Sequence, residues 1–307
     1  MADYNEEKVT KIIKIVDKYK HSPIPVRASF WFLICSFLQR GISMITTPIF
    51  TRLLTTAEYG QFGVFNSWYG IVSIVVSLSL YQGVHAQGIV KFSEERAVFS
   101  STLQGLTLLL TSIWSIAYIL THQFWNGITG LTTSQTLSML VMIWATASFS
   151  FWANEQRMDY KYHVLVTVTI LVSLAKPLLG VFLVMHAEDK VTARILGLMI
   201  VELAAYSWTS FLLIKRGKKF FSKRFWRYAI LFNVPLVPHY LSQTVLNSAD
   251  RIMIKKMVGE SEAGIYNLAY SVSSIMTLFN TALSQTVSPW IYKKIKDRKG
   301  KEIAPIA

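Results

Sequence analysis

His163–His186 reads HVLVTVTILVSLAKPLLGVFLVMH, an apolar run whose one full charge is Lys176. About 20 apolar residues at 1.5 Å rise cross the roughly 30 Å hydrocarbon layer of a bilayer. The run does not alternate with period two, so it does not suit a barrel strand. A helix pairs its backbone amides internally, as lipid demands. Seven more runs of this kind flank it, at about 28–51, 61–86, 98–120, 136–154, 193–214, 228–250 and 263–290. The composition agrees: 52% of the 307 residues are hydrophobic and only 16% are charged, where soluble domains carry about 25%. The expected fold class is therefore all-α, a polytopic membrane protein of about eight transmembrane helices.

The net charge of +14 raises the question of nucleic acid, and the placement of the charges answers it. Of the 31 Lys and Arg, 23 fall in the two tails and in alternate connections. The other connections hold six: Arg52, Lys190, Arg194, Arg251, Lys255 and Lys256. Such a bias marks the cytoplasmic side of a membrane protein and not a nucleic-acid face. It predicts a multi-pass protein of the cytoplasmic (inner) membrane with both termini inside. The first apolar run is too long for a signal-peptide core and is expected to stay in the membrane. The single cysteine, Cys35, excludes a disulfide framework and reads as small core filler.

Five segments follow. Residues 1–26 form a basic tail in which Val9, Ile12, Val16 and Tyr19 alternate with lysines at helical spacing, as in a helix lying on anionic lipid. Residues 27–216 hold six spans, and 217–227 form a basic linker. Residues 228–292 hold two further spans, and 293–307 form a second basic tail. The run KRGKKFFSKRFWR (Lys215–Arg227) is expected at the inner headgroups with Phe220, Phe221, Phe225 and Trp226 dipping into the interface, as a hinge between two units. Spans one and two reappear as spans seven and eight at an offset of 204. Gln39 meets Gln243, Glu58 meets Glu262, Gly60 meets Gly264, and Ile71 meets Ile275. Both copies start on the same side, so the repeat is parallel. That is the arrangement of two-lobed transporters with substrate between the lobes.

Two stretches resemble a known family. They are NVPLVPHYLSQTVLNSADRIMIKKMVGESEAGIY (Asn233–Tyr266), through Pro235, Pro238, His239, Asp250, Arg251, Gly259, Gly264 and Tyr266, and TTPIFTRLLTTAEYGQFGVF (Thr46–Phe65), through Pro48, Arg52, Leu53, Glu58, Tyr59 and Gly60. Both are similar to the polysaccharide-biosynthesis flippases of the MATE-like exporter superfamily, which move polyprenyl-pyrophosphate-linked O-antigen or capsule repeat units. The resemblance implies a six-helix lobe followed by the first two helices of a second lobe. Since that family has twelve or more helices, it also implies a C-terminal truncation. It implies membrane lipids, the lipid-linked glycan and other polysaccharide-assembly membrane proteins as partners.

Ionised groups at bilayer depth are costly and mark function by default. Arg40 in span one, with Ser36, Ser43 and Thr47 around it, and Lys176 in span five, just before Pro177, are expected to hold the anionic pyrophosphate. The competing expectation is structural pairing with Glu202, the one acid buried within spans one to six. In span seven His239, Gln243, Asn247 and Asp250 share a helix face. The first three are candidate sugar contacts; Asp250, with Glu202, is a candidate for ion coupling. The stripe Gly70, Ser73, Ser77, Tyr81 and His85 reads as close helix packing. Metal-ligand, P-loop and nucleophile-elbow motifs are absent, so neither metal nor cofactor is expected, nor enzymatic activity. The alternatives are a MATE-type small-molecule exporter, or a membrane glycosyltransferase or polysaccharide polymerase.

Overall fold

The structure, a computed structural model, describes residues 23–273 and residue 276. Most of the N-terminal basic tail, the C-terminal one and most of the eighth expected span lie outside these residues. Among the described residues there are helices and no strands. They are α1 (Ile24–Leu53), α2 (Thr56–Ser77), α3 (Gly83–Lys91), α4 (Arg96–Thr129), α5 (Thr133–Met158), α6 (Tyr162–His186), α7 (Lys190–Gly217), α8 (Lys223–Asn233), α9 (Val237–Met257) and α10 (260–273). Five of them, α1, α4 (here counted from Ser93), α5, α6 and α7, are long and apolar enough to cross a membrane. The chain is an all-α polytopic membrane protein. Large apolar side chains such as Ile45, Leu120, Leu178 and Phe211 stand two-thirds or more exposed on these helices, as lipid-facing residues do.

Local chemistry sets the helix starts. Thr55 caps α2 by accepting from the Glu58 amide, while the Glu58 carboxylate accepts from the Thr55 amide at 2.7 Å. Thr132 and Gln135 form the same reciprocal box at the start of α5. Asp189 caps α7 through the Thr192 amide.

Three expected spans differ from the structure. The second does not run unbroken from 61 to 86. It stops at Ser77, where Leu78 and Ser79 take left-handed backbone at φ 49°, and resumes as α3. Irregular backbone at membrane depth survives only where protein satisfies it. Here Asn233 donates to the Leu78 carbonyl and Asn154 to that of Tyr81, the latter at 2.7 Å. The third span continues past residue 120. It kinks at Thr121, whose hydroxyl bonds back to the Ala117 carbonyl at 2.7 Å, and runs on to Thr129. Tyr118 donates to Asn126 across the kink at 2.7 Å, so most of the expected loop 121–135 is helical. The seventh span divides at Val234–Leu236, a 3-10 turn, because Pro235 and Pro238 remove two amides from the ladder.

Around the central α7 lie α4, α5 and α6, and α1 leans on α6. Cys35 is buried with Ala28, Tyr162 and Val166, the small filler expected of it. Two aromatics of the expected hinge segment are placed differently from the expectation. From Lys223 its basic run is already α8, with Phe225 2% exposed against Phe99 and Leu103 of α4. Trp226 donates its indole N–H to the Thr102 carbonyl at 2.7 Å, and Arg224 pairs with Glu95 at 2.8 Å. Of the four aromatics, only Phe220 and Phe221 remain exposed.

Candidate functional site

A cavity of about 250 Å³ opens between α1, α2, α6 and α7. Gln39, Ile42, Ser43, Thr46 and Phe50 recur every three or four residues, so they form one stripe of α1. Ser173, Lys176, Pro177 and Gly180 do the same on α6; Arg194 and Leu198 enter from α7 and Phe62 from α2. Gly197 allows the approach of α6 and α7: a Cβ there would stand 3.0 Å from the Gly180 Cα. Gln39 donates to Ser173 at 3.3 Å across the α1–α6 side.

Lys176 donates to Glu202 at 2.6 Å. The Glu202 carboxylate is nearly enclosed, its side chain 6% exposed, whereas that of Lys176 is 28% exposed. Its other oxygen accepts from the Thr146 hydroxyl at 3.0 Å, and that hydroxyl accepts from Tyr69 at 3.4 Å. The acid is thus held from behind, and the ammonium reaches the polar space.

Arg194, counted with a connection in the sequence, lies in the first turns of α7 and is enclosed by aromatic rings. Its guanidinium carbon lies 3.8 Å from the ring centre of Phe50 and 3.6 Å from that of Phe62, with Tyr59 at 5.6 Å. Its Nη1 is buried with no hydrogen-bond partner among the described residues. Sequence reasoning missed it because the rings that hold it come from α1 and α2, far away in the chain.

The other candidates stand elsewhere. Arg40 is exposed and does not line the cavity. One residue beyond Gln39, it is turned about 100° away from the α1 stripe. Ser36 and Thr47 bond back to the carbonyls of Phe32 and Ser43. His239, Gln243, Asn247 and Asp250 are all exposed along α9. Asp250 accepts from the Tyr266 hydroxyl at 2.7 Å, and Arg251 donates to the Asn247 carbonyl at 2.9 Å. Of the proposed residues, the structure brings Lys176 and Glu202 together. His85 packs as expected of its stripe: fully buried, it lies 3.0 Å from the Ser100 hydroxyl.

The repeat-related residues meet at the start of α2. A Cβ on Gly60 would fall 2.1 Å from the Glu260 carbonyl oxygen, and one on Gly264 would fall 2.0 Å from that of Thr56. A Cβ on Gly63 would meet the Asn267 side chain at 2.7 Å. Glu260, Gly264 and Asn267 are Thr56, Gly60 and Gly63 shifted by 204. The contacts are therefore reciprocal, as across a local two-fold axis running along two parallel helices. The Thr56 and Ser261 hydroxyls lie 3.0 Å apart at the same crossing.

Residues 26–294 match the family model described as polysaccharide biosynthesis protein, and the chain belongs to that family. It is also similar to a protein of the Lsg locus of Haemophilus influenzae, 20% identical over 273 residues, which cover 87% of this chain and 66% of that protein. The chain thus spans just under two thirds of that relative. No solved structure matches it.

Proposed function

We propose that the protein is a flippase, carrying a polyprenyl-pyrophosphate-linked oligosaccharide, such as an O-antigen, capsule or exopolysaccharide repeat unit, across the cytoplasmic membrane by alternating access. Both termini lie inside the cell, following the bias of Lys and Arg. One observation carries the reading: in a chain of a polysaccharide-biosynthesis family, a hydroxyl- and amide-lined cleft holds two cations against one carboxylate. Hydroxyls donate to phosphate oxygens, and surplus positive charge suits a pyrophosphate. A MATE-type exporter of cationic drugs calls for the opposite charge. Transport makes no covalent bond, so the protein acts without enzymatic chemistry. Glu202 and Asp250 are the proposed ion-coupling groups, since protonating Glu202 releases Lys176.

Alternating access requires the crossing of α2 with α10 to separate. In a strain lacking its own flippase, the intact gene restores surface polysaccharide. The Thr56→Cys/Ser261→Cys form loses this under oxidation and regains it on reduction. Unchanged surface polysaccharide with the crossing fully cross-linked would falsify the alternating-access step.

A further inference from the structure

A buried guanidinium needs either an acceptor or water, because an unpaired buried charge is costly. Lys176 has its acceptor in Glu202, which leaves that pair neutral. Arg194 has none: no carboxylate pairs with it among the described residues, and Nη1 is buried without a hydrogen bond. What holds it is two aromatic faces, Phe50 and Phe62, which fix the plane of the fork and offer no lone pair. The cavity that its side chain lines is therefore net positive by one charge. At about 250 Å³ it is too small for an oligosaccharide and large enough for a phosphate or pyrophosphate.

We propose that Arg194, held between Phe50 and Phe62, is the anchor of a phosphate-binding subsite inside the first helical bundle, with the Lys176 ammonium as its second contact. Arg194 supplies the planar donor pair that matches two phosphate oxygens. Lys176, still bonded to Glu202, supplies a point charge on the other side of the cavity. The ligand is a phosphate-bearing anion, either the headgroup of a lipid-linked sugar or a free inorganic phosphate. The first source rests on the proposed function; the site does not.

The test uses the full protein purified in detergent, with thermal stabilisation read against added inorganic pyrophosphate at constant ionic strength. A saturable shift is expected for the unaltered protein, and about a tenfold weaker apparent affinity for Arg194→Gln. Arg194→Lys keeps the charge and loses the fork, and should be weakened as well. No shift in the unaltered protein, an equal shift with chloride, or undiminished affinity in either variant overturns the proposal. If Arg194→Gln is too unstable to purify, Arg194→Lys decides alone. Farnesyl pyrophosphate then separates the sources. Binding well below the concentration needed for pyrophosphate points to a lipid headgroup, and equal binding points to the free anion; both retain the site. Pyrophosphate binding by a protein that fails to restore surface polysaccharide keeps the subsite and removes the flippase reading.

Discussion

Gly60→Ala puts a single methyl where α2 crosses α10. The added carbon would sit 2.1 Å from the Glu260 carbonyl oxygen and 2.7 Å from the Gly264 amide nitrogen. Both are backbone atoms, so no rotamer change relieves the overlap. Restoring ordinary contact at about 3.4 Å moves the helices apart by about 1.3 Å, and overpacking of this kind costs about 1–3 kcal/mol. Against this, alanine gains up to about 1 kcal/mol over glycine within a helix. The steric loss exceeds the gain, and it falls on one contact alone. The assay is the rate of disulfide formation in the Thr56→Cys/Ser261→Cys protein, with and without Gly60→Ala. A several-fold slower rate is expected with the alanine. Gly41→Ala is the control: its Cβ meets nothing within 4 Å among the described residues, so it shows the propensity gain and an unchanged cross-linking rate. Equal rates with and without Gly60→Ala would refute the reciprocal crossing.

Lys176→Met leaves the enclosed Glu202 carboxylate without its cation, and thermal unfolding in detergent should show a loss of about 3–5 kcal/mol. Glu202→Gln strands only the partly exposed ammonium and should cost clearly less; the reverse order refutes the assignment of the carboxylate as the enclosed partner. Asp159, in the turn between α5 and α6, accepts from Arg96 at 2.8 Å through both its oxygens. That hydrogen bonding, helped by Lys161, holds its carboxyl below the usual aspartate range. The folded state therefore releases this proton more readily than the unfolded one. The resulting stability is present above the unfolded value of about 3.9 and disappears as pH falls through the lower folded value. Asp159→Asn should lose up to about 1 kcal/mol at neutral pH and show a flatter acid limb in pH-dependent melting. An unchanged acid limb removes that role.

Hydropathy revealed the membrane class and the long uninterrupted helices, because burial in lipid depends on composition summed over a whole run. It could not reveal the break after Ser77, where Leu78 and Tyr81 are as apolar or aromatic as their neighbours. What permits that break is a pair of amides, Asn154 and Asn233, brought from other helices. The bond between Lys176 and Glu202 was legible as one of two alternatives, since few acids lie within reach of a cation at that depth. The place of Arg40 and Arg194 was not legible for one reason: periodicity orders residues around their own helix but does not name the helix opposite. Arg40 lies one step off the stripe that faces the cavity. Arg194 lies just inside α7, where counting charges along the chain assigns it to a connection.

The clamped linker has a mechanical consequence. Gly217 packs where a methyl would collide with the Ala97 carbonyl, Ser101 donates to the Lys219 carbonyl, and Arg224 is tied to Glu95. The basic segment and α8 thus form a rigid extension of the first bundle, not a slack tether. Any bending of the later helices against that bundle is then expected at Val234–Leu236, within the apolar run, where two prolines leave the ladder short of amides.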